Sequence, residues 1–219
     1  NVYHLTTLFL PSTIKRIEYA AFDLVGFTGE LRLPYGLEYI DTDPHTSVFR
    51  SSDFEGRLNI PETLRELPKL AFPKITGEIK IPQHITILGD LTFENTGISR
   101  VEFHDGITEM AGATFRGAQL TGELVLPPNL KNLSGESFAG TKISRIIFPD
   151  NLRVMDDGAY DDSGIFANCV HLTGIVELPR NVARISKGCF YRCSGITGLI
   201  IPKSIDIIEM HAHEINIGV

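Results

Sequence analysis

The sequence repeats itself at a short, nearly fixed period, and this constrains the fold more than any other feature. A unit of apolar, any residue, apolar, Pro recurs as LFLP ending at Pro11, LRLP at Pro34, LNIP at Pro61, IKIP at Pro82, LVLP at Pro127, IIFP at Pro149, VELP at Pro179 and LIIP at Pro202. In a ninth copy VEF precedes His104, which takes the Pro slot. Successive anchors lie 23, 27, 21, 22, 23, 22, 30 and 23 residues apart. Apolar residues follow each anchor three and six positions on, from Ile14 and Ile17 to Ile205 and Ile208. Eight of the 13 Phe residues then share one slot: Phe22, Phe49, Phe72, Phe93, Phe115, Phe138, Phe166 and Phe190. Phe therefore marks a fixed point of a repeating coil.

One coil of this size cannot bury its apolar residues alone, whereas stacked coils share a continuous core. The apolar-x-apolar stretch predicts a short strand with alternate side chains pointing inward. Pro ends that strand, since it cannot donate to a ladder. Two residues later comes a turn former: Thr13, Gly36, Thr63, His84, Gly106, Asn129, Asn151, Asn181 or Ser204. These residue types are expected to bond their own backbone or to tolerate tight turns. Thr-Gly pairs at 28–29, 76–77, 121–122, 173–174 and 197–198 predict a second turn before the strand. Nine coils at a ladder spacing of about 4.8 Å make a rod roughly 40 Å long.

The formal charge is −7, from 20 Lys and Arg against 27 Asp and Glu, which excludes a basic nucleic-acid footprint. No apolar run approaches the roughly 18 residues of a spanning helix. Three cysteines do not make a disulfide framework. A strand unit lies close to Asn1, and the last coil has His213 where Phe is expected. Terminal coils need polar caps, and the sequence shows none, so the chain reads as a single repeat domain over 1–219 that is a segment of a longer protein. Insertions near 41–48 and 156–164 account for the two long spacings.

The string LTGELVLPPNLKNLSGESFAG, from Leu120 to Gly140, resembles the BspA-type leucine-rich repeat of Bacteroides- and Treponema-like cell-surface proteins. The resemblance covers essentially the whole chain. It implies a leucine-rich-repeat solenoid: a right-handed curved superhelix of about nine coils of ~23 residues, mostly short β-strands with turns and short helical pieces. It also implies an extracellular or cell-surface location and a role in adhesion or protein binding.

The period aligns surface columns. Four residues before the anchor stand Glu30, Arg57, Glu78, Arg100, Glu123 and Arg145, alternating in sign, which predicts a structural charge ladder between stacked coils. Two residues before it stand Phe9, Arg32, Asn59, Lys80, Glu102, Val125, Ile147, Glu177 and Ile200. Val125, Ile147 and Ile200, with Ile175 from the neighbouring column, are the candidate partner-binding patch. Tyr160, in the second insertion, is a further contact candidate.

That insertion also carries Asp156, Asp157, Asp161 and Asp162, weak candidates for calcium whose spacing matches no known loop. His211 and His213 with Glu209 lack a well-spaced third partner for a metal. Cys169 and Cys193 share the slot three residues after Phe and should stack, as packing thiols first and a disulfide second, since adjacent-coil distances would not forbid one, while Cys189 reads as core. No catalytic motif is present, and neither cofactor nor metal is expected. The first functional expectation is a non-enzymatic, surface-displayed module that binds a protein, host or cell-surface, through one face, with no nucleic acid and no membrane insertion. The second is a structural spacer, and the third a carbohydrate-binding module.

Overall fold

The computed structural model describes residues 7–41, 48–49, 52–68, 72, 74–156 and 164–209. They form a parallel β-solenoid with two strand-bearing faces. One face, here called the anchor face, carries β2 (Thr28–Glu30), β4 (Asp53–Gly56), β5 (Lys74–Lys80), β7 (Gly97–Glu102), β9 (Thr121–Val125), β11 (Lys142–Ile147), β13 (Gly174–Glu177) and β15 (Ile196–Ile200). The other carries β1 (Arg16–Ile17), β3 (Tyr39–Ile40), β6 (Ile87–Leu88), β8 (Glu109–Met110), β10 (Asn132–Ser134), β12 (Val154–Asp156), β14 (Arg184–Ile185) and β16 (Ile207–Ile208). The nine sequence anchors give eight strands on the anchor face, because the anchor at Pro11 contributes none among the described residues.

No helix occurs among the described residues, so the expected short helical pieces are corrected to isolated turns. Each anchor carbonyl accepts the amide three residues on, as in Leu37 N–H to Pro34 O at 3.0 Å and Ile85 N–H to Pro82 O at 3.0 Å. Each repeat Phe carbonyl does the same, as in Ala118 N–H to Phe115 O at 3.0 Å and Cys193 N–H to Phe190 O at 3.1 Å. A chain that turns at both points has no room for a run of i→i+4 bonds. The residue two after Phe is left-handed in coil after coil, at Leu24, Asn95, Gly117, Gly140, Asn168 and Arg192. The expected Thr-Gly turn is also relocated: Gly77 (φ 87°) and Gly122 (φ 73°) lie within β5 and β9, beside irregularities in the strand register.

The core is a spine of Phe rings flanked by Leu, Ile and Val. Phe93, Phe115, Phe138, Phe166 and Phe190 are fully buried and stack coil on coil, with centroids 5.2, 5.5, 5.7 and 5.6 Å apart. Main-chain bonds run alongside, from Phe93 N–H to Thr114 O at 2.8 Å through to Phe166 N–H to Cys189 O at 2.9 Å. This edge of the rod is continuous through the second insertion: Phe138 N–H still reaches Ile165 O at 2.9 Å, and Gly140 N–H reaches Ala167 O at 2.7 Å. The turn formers sit in tight turns, and among them the asparagine side chains reach back one coil instead of bonding their own backbone. Asn129 Nδ2 donates to Asp105 O at 2.9 Å, Asn151 Nδ2 to Pro128 O at 3.0 Å, and Asn181 Nδ2 to Asp150 O at 2.7 Å. Each replaces a missing strand bond at the corner where Pro has interrupted the ladder.

Candidate interaction surface

The anchor face is not one sheet. The strands β2, β4, β5 and β7 form a first sheet, β9 and β11 a second, and β13 and β15 a third. Four successive coils alternate two types. A Thr-Gly-Glu coil (76–78, 121–123) is followed by an Ile-Ser-Arg coil (98–100, 143–145). The extra residue bulges: Gly77 pairs with Ile98 but Glu78 with Arg100, and Ile143 with Gly122 but Arg145 with Glu123. Each coil type fits the other within β5–β7 and β9–β11, and the ladder breaks after β7 and after β11, whereas β4 pairs with β5 without a break.

The charge column follows that division. Glu78 and Arg100 pair at 3.5 Å, and Glu123 and Arg145 at 3.4 Å, each within one coil pair. Arg100 and Glu123 lie across the first break and form no ion pair with each other. At the other end, Glu30 lies opposite Glu55 in the register and binds Arg32, just past the end of β2, at 2.7 Å. The Arg57 side chain instead lies beside Gly77. An unbroken six-coil ladder is therefore corrected to two staples, because insertion near 41–48 and the bulges shift the register.

The apolar column is exposed. Val125 is 55%, Ile147 37%, Ile175 67% and Ile200 51% accessible. Ile147 stacks directly on Val125, and Glu177 on Ile200, while Ile175 stands over Gly198. Their inward neighbours Leu124, Ile146 and Val176 are buried. Strand alternation thus puts one set of branched side chains in the core and the next set in solvent. Between β11 and β13 the face opens into a groove of about 420 Å³, walled by Ile146, Ile147 and Phe148 on one side and Ile175, Glu177 and Leu178 on the other.

Other candidates fall elsewhere. Tyr160, Asp157, Asp161 and Asp162, together with His211 and His213, lie outside the described residues. Asp156 ends β12 and meets Arg184 at 3.3 Å; Arg184 also meets Glu209 at 3.2 Å, so both carboxylates serve a coil-to-coil ion network. Among the described residues no three metal-ligating side chains converge. Cys169, Cys189 and Cys193 are free and buried. Cys169 Sγ donates to Phe138 O at 3.2 Å and Cys193 Sγ to Phe166 O at 3.0 Å, each reaching back one coil. The hydrogen bond with Cys169, and then burial, push the Cys193 thiol up from its ordinary value.

One cluster escaped the sequence reading. The half-buried Arg116 guanidinium lies between the nearly buried carboxylates of Glu94 and Glu136, bonding Glu94 through Nε at 3.0 Å and both acids through its terminal nitrogens. Three successive coils are joined by it. Its signal in the sequence was weak, because Glu94 and Arg116 follow their Phe directly while Glu136 precedes Phe138 by two.

The chain belongs to the BspA-type leucine-rich-repeat family: six copies of that repeat region match across residues 43–165 and 162–216. Three solved structures are similar in fold. A leucine-rich repeat protein from Bacteroides ovatus is 16% identical over 93% of this chain and 68% of its own, with a TM-score of 0.41. One from Eubacterium ventriosum is 18% identical over 93% and 74%, with a TM-score of 0.48. A leucine rich cell surface protein from Faecalibacterium prausnitzii is 13% identical over 95% and 59%, with a TM-score of 0.44. No curated protein matches the chain.

Proposed function

We propose that the chain is a non-enzymatic binding module, displayed outside the cell, that engages a protein partner through the anchor face. The observation that carries this is the exposure of Val125, Ile147, Ile175 and Ile200, four branched apolar side chains, one on each of four successive coils, with Ile147 stacked on Val125. Solvated surfaces seldom keep such a stripe unless something covers it. Location outside the cell rests on the family. The mechanism is contact spread over several coils, with the rod holding the stripe rigid so that little ordering cost opposes binding.

The test is a pull-down from extracellular-matrix and bacterial cell-surface proteins with the chain and with a Val125→Asp/Ile147→Asp variant, the latter checked for native circular dichroism. A protein captured by the first and lost with the second supports this reading. Capture of nothing by either form overturns it in favour of a spacer whose stripe is covered by the rest of its own protein.

A further inference from the structure

The groove between β11 and β13 differs from an ordinary apolar patch in what its walls are made of. In β11, Ile147 O accepts from Leu126 N–H at 3.1 Å, toward β9. Alternation then turns the amide and carbonyl of Ile146 the other way, into the groove. In β13, Gly174 N–H reaches Gly195 O at 3.2 Å and Leu178 N–H reaches Ile200 O at 3.0 Å, both toward β15. The main-chain groups of Ile175 and Glu177 therefore face back toward β11. The two edges form no ladder. One bond spans the base of the groove, from Thr173 N–H to Ser144 O at 3.2 Å. Elsewhere in the same two coils Phe138 and Phe166 stay stacked at 5.7 Å and Asn181 Nδ2 reaches Asp150 O at 2.7 Å, so the coils part between these contacts, and β12 and β14 on the second face form no ladder either.

We propose that this groove takes one extended strand of a partner protein, hydrogen-bonded to Ile146 on one side and to Ile175 and Glu177 on the other. This rests on the binding reading above and names the kind of partner. The rim charges are matched already, Arg145 to Glu123 at 3.4 Å and Arg180 to Glu177 at 3.8 Å, so the groove does not select a charged ligand. What it offers is two rows of main-chain donors and acceptors flanked by Ile147, Ile175 and Ile200. A strand is the polymer that satisfies both rows at once, and uncharged β-branched side chains at alternate positions suit those isoleucines. The register shift at Ser144 lies in β11, the strand that forms one edge.

The probe is a blocked peptide, acetyl-Thr-Val-Thr-Val-Thr-Lys-Lys-amide, added to the whole chain while amide hydrogen exchange is followed by NMR. Slowed exchange at Ile146, Ile175 and Glu177, with amides of the doubly paired β5 and β10 unchanged, is the expected result. N-methylation of alternate peptide nitrogens should weaken the peptide about tenfold or more by removing edge bonds. Glu177→Pro, which deletes one groove-facing N–H, should weaken it similarly; because the methylated peptide needs no variant, a folding defect in Glu177→Pro would not obscure the answer. Unchanged exchange at millimolar peptide, or equal binding of the methylated peptide, would overturn the strand. Either result beside a successful stripe-dependent pull-down would leave the broader reading standing.

Discussion

Gly164 meets Gly188 of the next coil so closely that a Cβ on Gly164 would sit 2.3 Å from the Gly188 carbonyl carbon and 2.4 Å from the Cys189 nitrogen. Backbone cannot yield there, because Phe166 and Phe190 hold the two coils in register at 5.6 Å. Gly164→Ala should lower stability by about 2–3 kcal/mol. Gly122→Ala makes the comparison: open space surrounds that position, its φ is 73°, and only backbone strain of about 1 kcal/mol is expected. Urea denaturation of both variants measures the difference, and equal losses would refute the packing argument.

Leu24 is in the left-handed region at φ 59° with its side chain half in solvent. Elsewhere the same slot carries Asn or Gly at four of the six positions named above. Leu24→Gly should therefore raise stability by about 0.5–1 kcal/mol, the strain of a branched residue exceeding the entropy lost with glycine. A thermal melt reads the sign; a lower midpoint would show that Leu24 packs more than its exposure suggests.

Arg116→Met removes the cation between Glu94 and Glu136 and leaves two nearly buried carboxylates facing each other. About 2–3 kcal/mol should be lost, tempered by the partial exposure of the guanidinium. The triple change Arg116→Met, Glu94→Gln, Glu136→Gln should recover part of that loss. Without recovery, the penalty would belong to packing of the arginine stem and not to charge.

Asn151 donates to Pro128 O at 3.0 Å and to Asn129 Oδ1 at 3.1 Å, linking two corners of the rod. Asn151→Ala should cost about 1–2 kcal/mol, and a double-mutant cycle with Asn129→Ala should show coupling of about 0.5–1 kcal/mol. Strict additivity would mean that the side-chain link carries nothing.

The three thiols are buried, and the Cys193 thiol is pushed up by its hydrogen bond with Cys169 and by desolvation. A raised value keeps the group protonated through mildly alkaline pH, and the thiolate is the reactive form. Ellman's reagent should find no thiol in the native chain and three after denaturation. Prompt labelling of Cys193 in the folded protein would contradict this.

Much of the fold was legible because a solenoid writes its geometry into a one-dimensional period. The Pro anchors, the paired apolar positions and the Phe slot each recur often enough to be read by alignment of the chain with itself, and Phe93 through Phe190 stack as that period requires. The short second-face strands such as β6 and β14 were not legible, since two residues leave no alternation to detect. The stripe positions were found from spacing, but the groove was not. It lies beside one extra residue, Ser144, whose register shift appears only when two coils are laid together. The alternation of Thr-Gly-Glu with Ile-Ser-Arg was the available signal, and it was read as charge periodicity instead of as a change in strand length. The Arg116 cluster shares no common slot, so no column could reveal it.

The ladders break on both faces between the β11–β12 coil and the β13–β14 coil, which gives the rod an uneven stiffness. Within a sheet, such as β9 with β11, bending must stretch a hydrogen-bonded ladder; at that junction the Phe spine, the corner Asn181, the Thr173–Ser144 bond and the Arg184–Asp156 pair resist instead. Flexure should therefore concentrate along a line parallel to the strands, with the aromatic edge as the axle. A load pulling along the rod would widen that junction first and leave the laddered coils on either side intact, so the mechanical units of this protein are longer than its one-coil sequence unit.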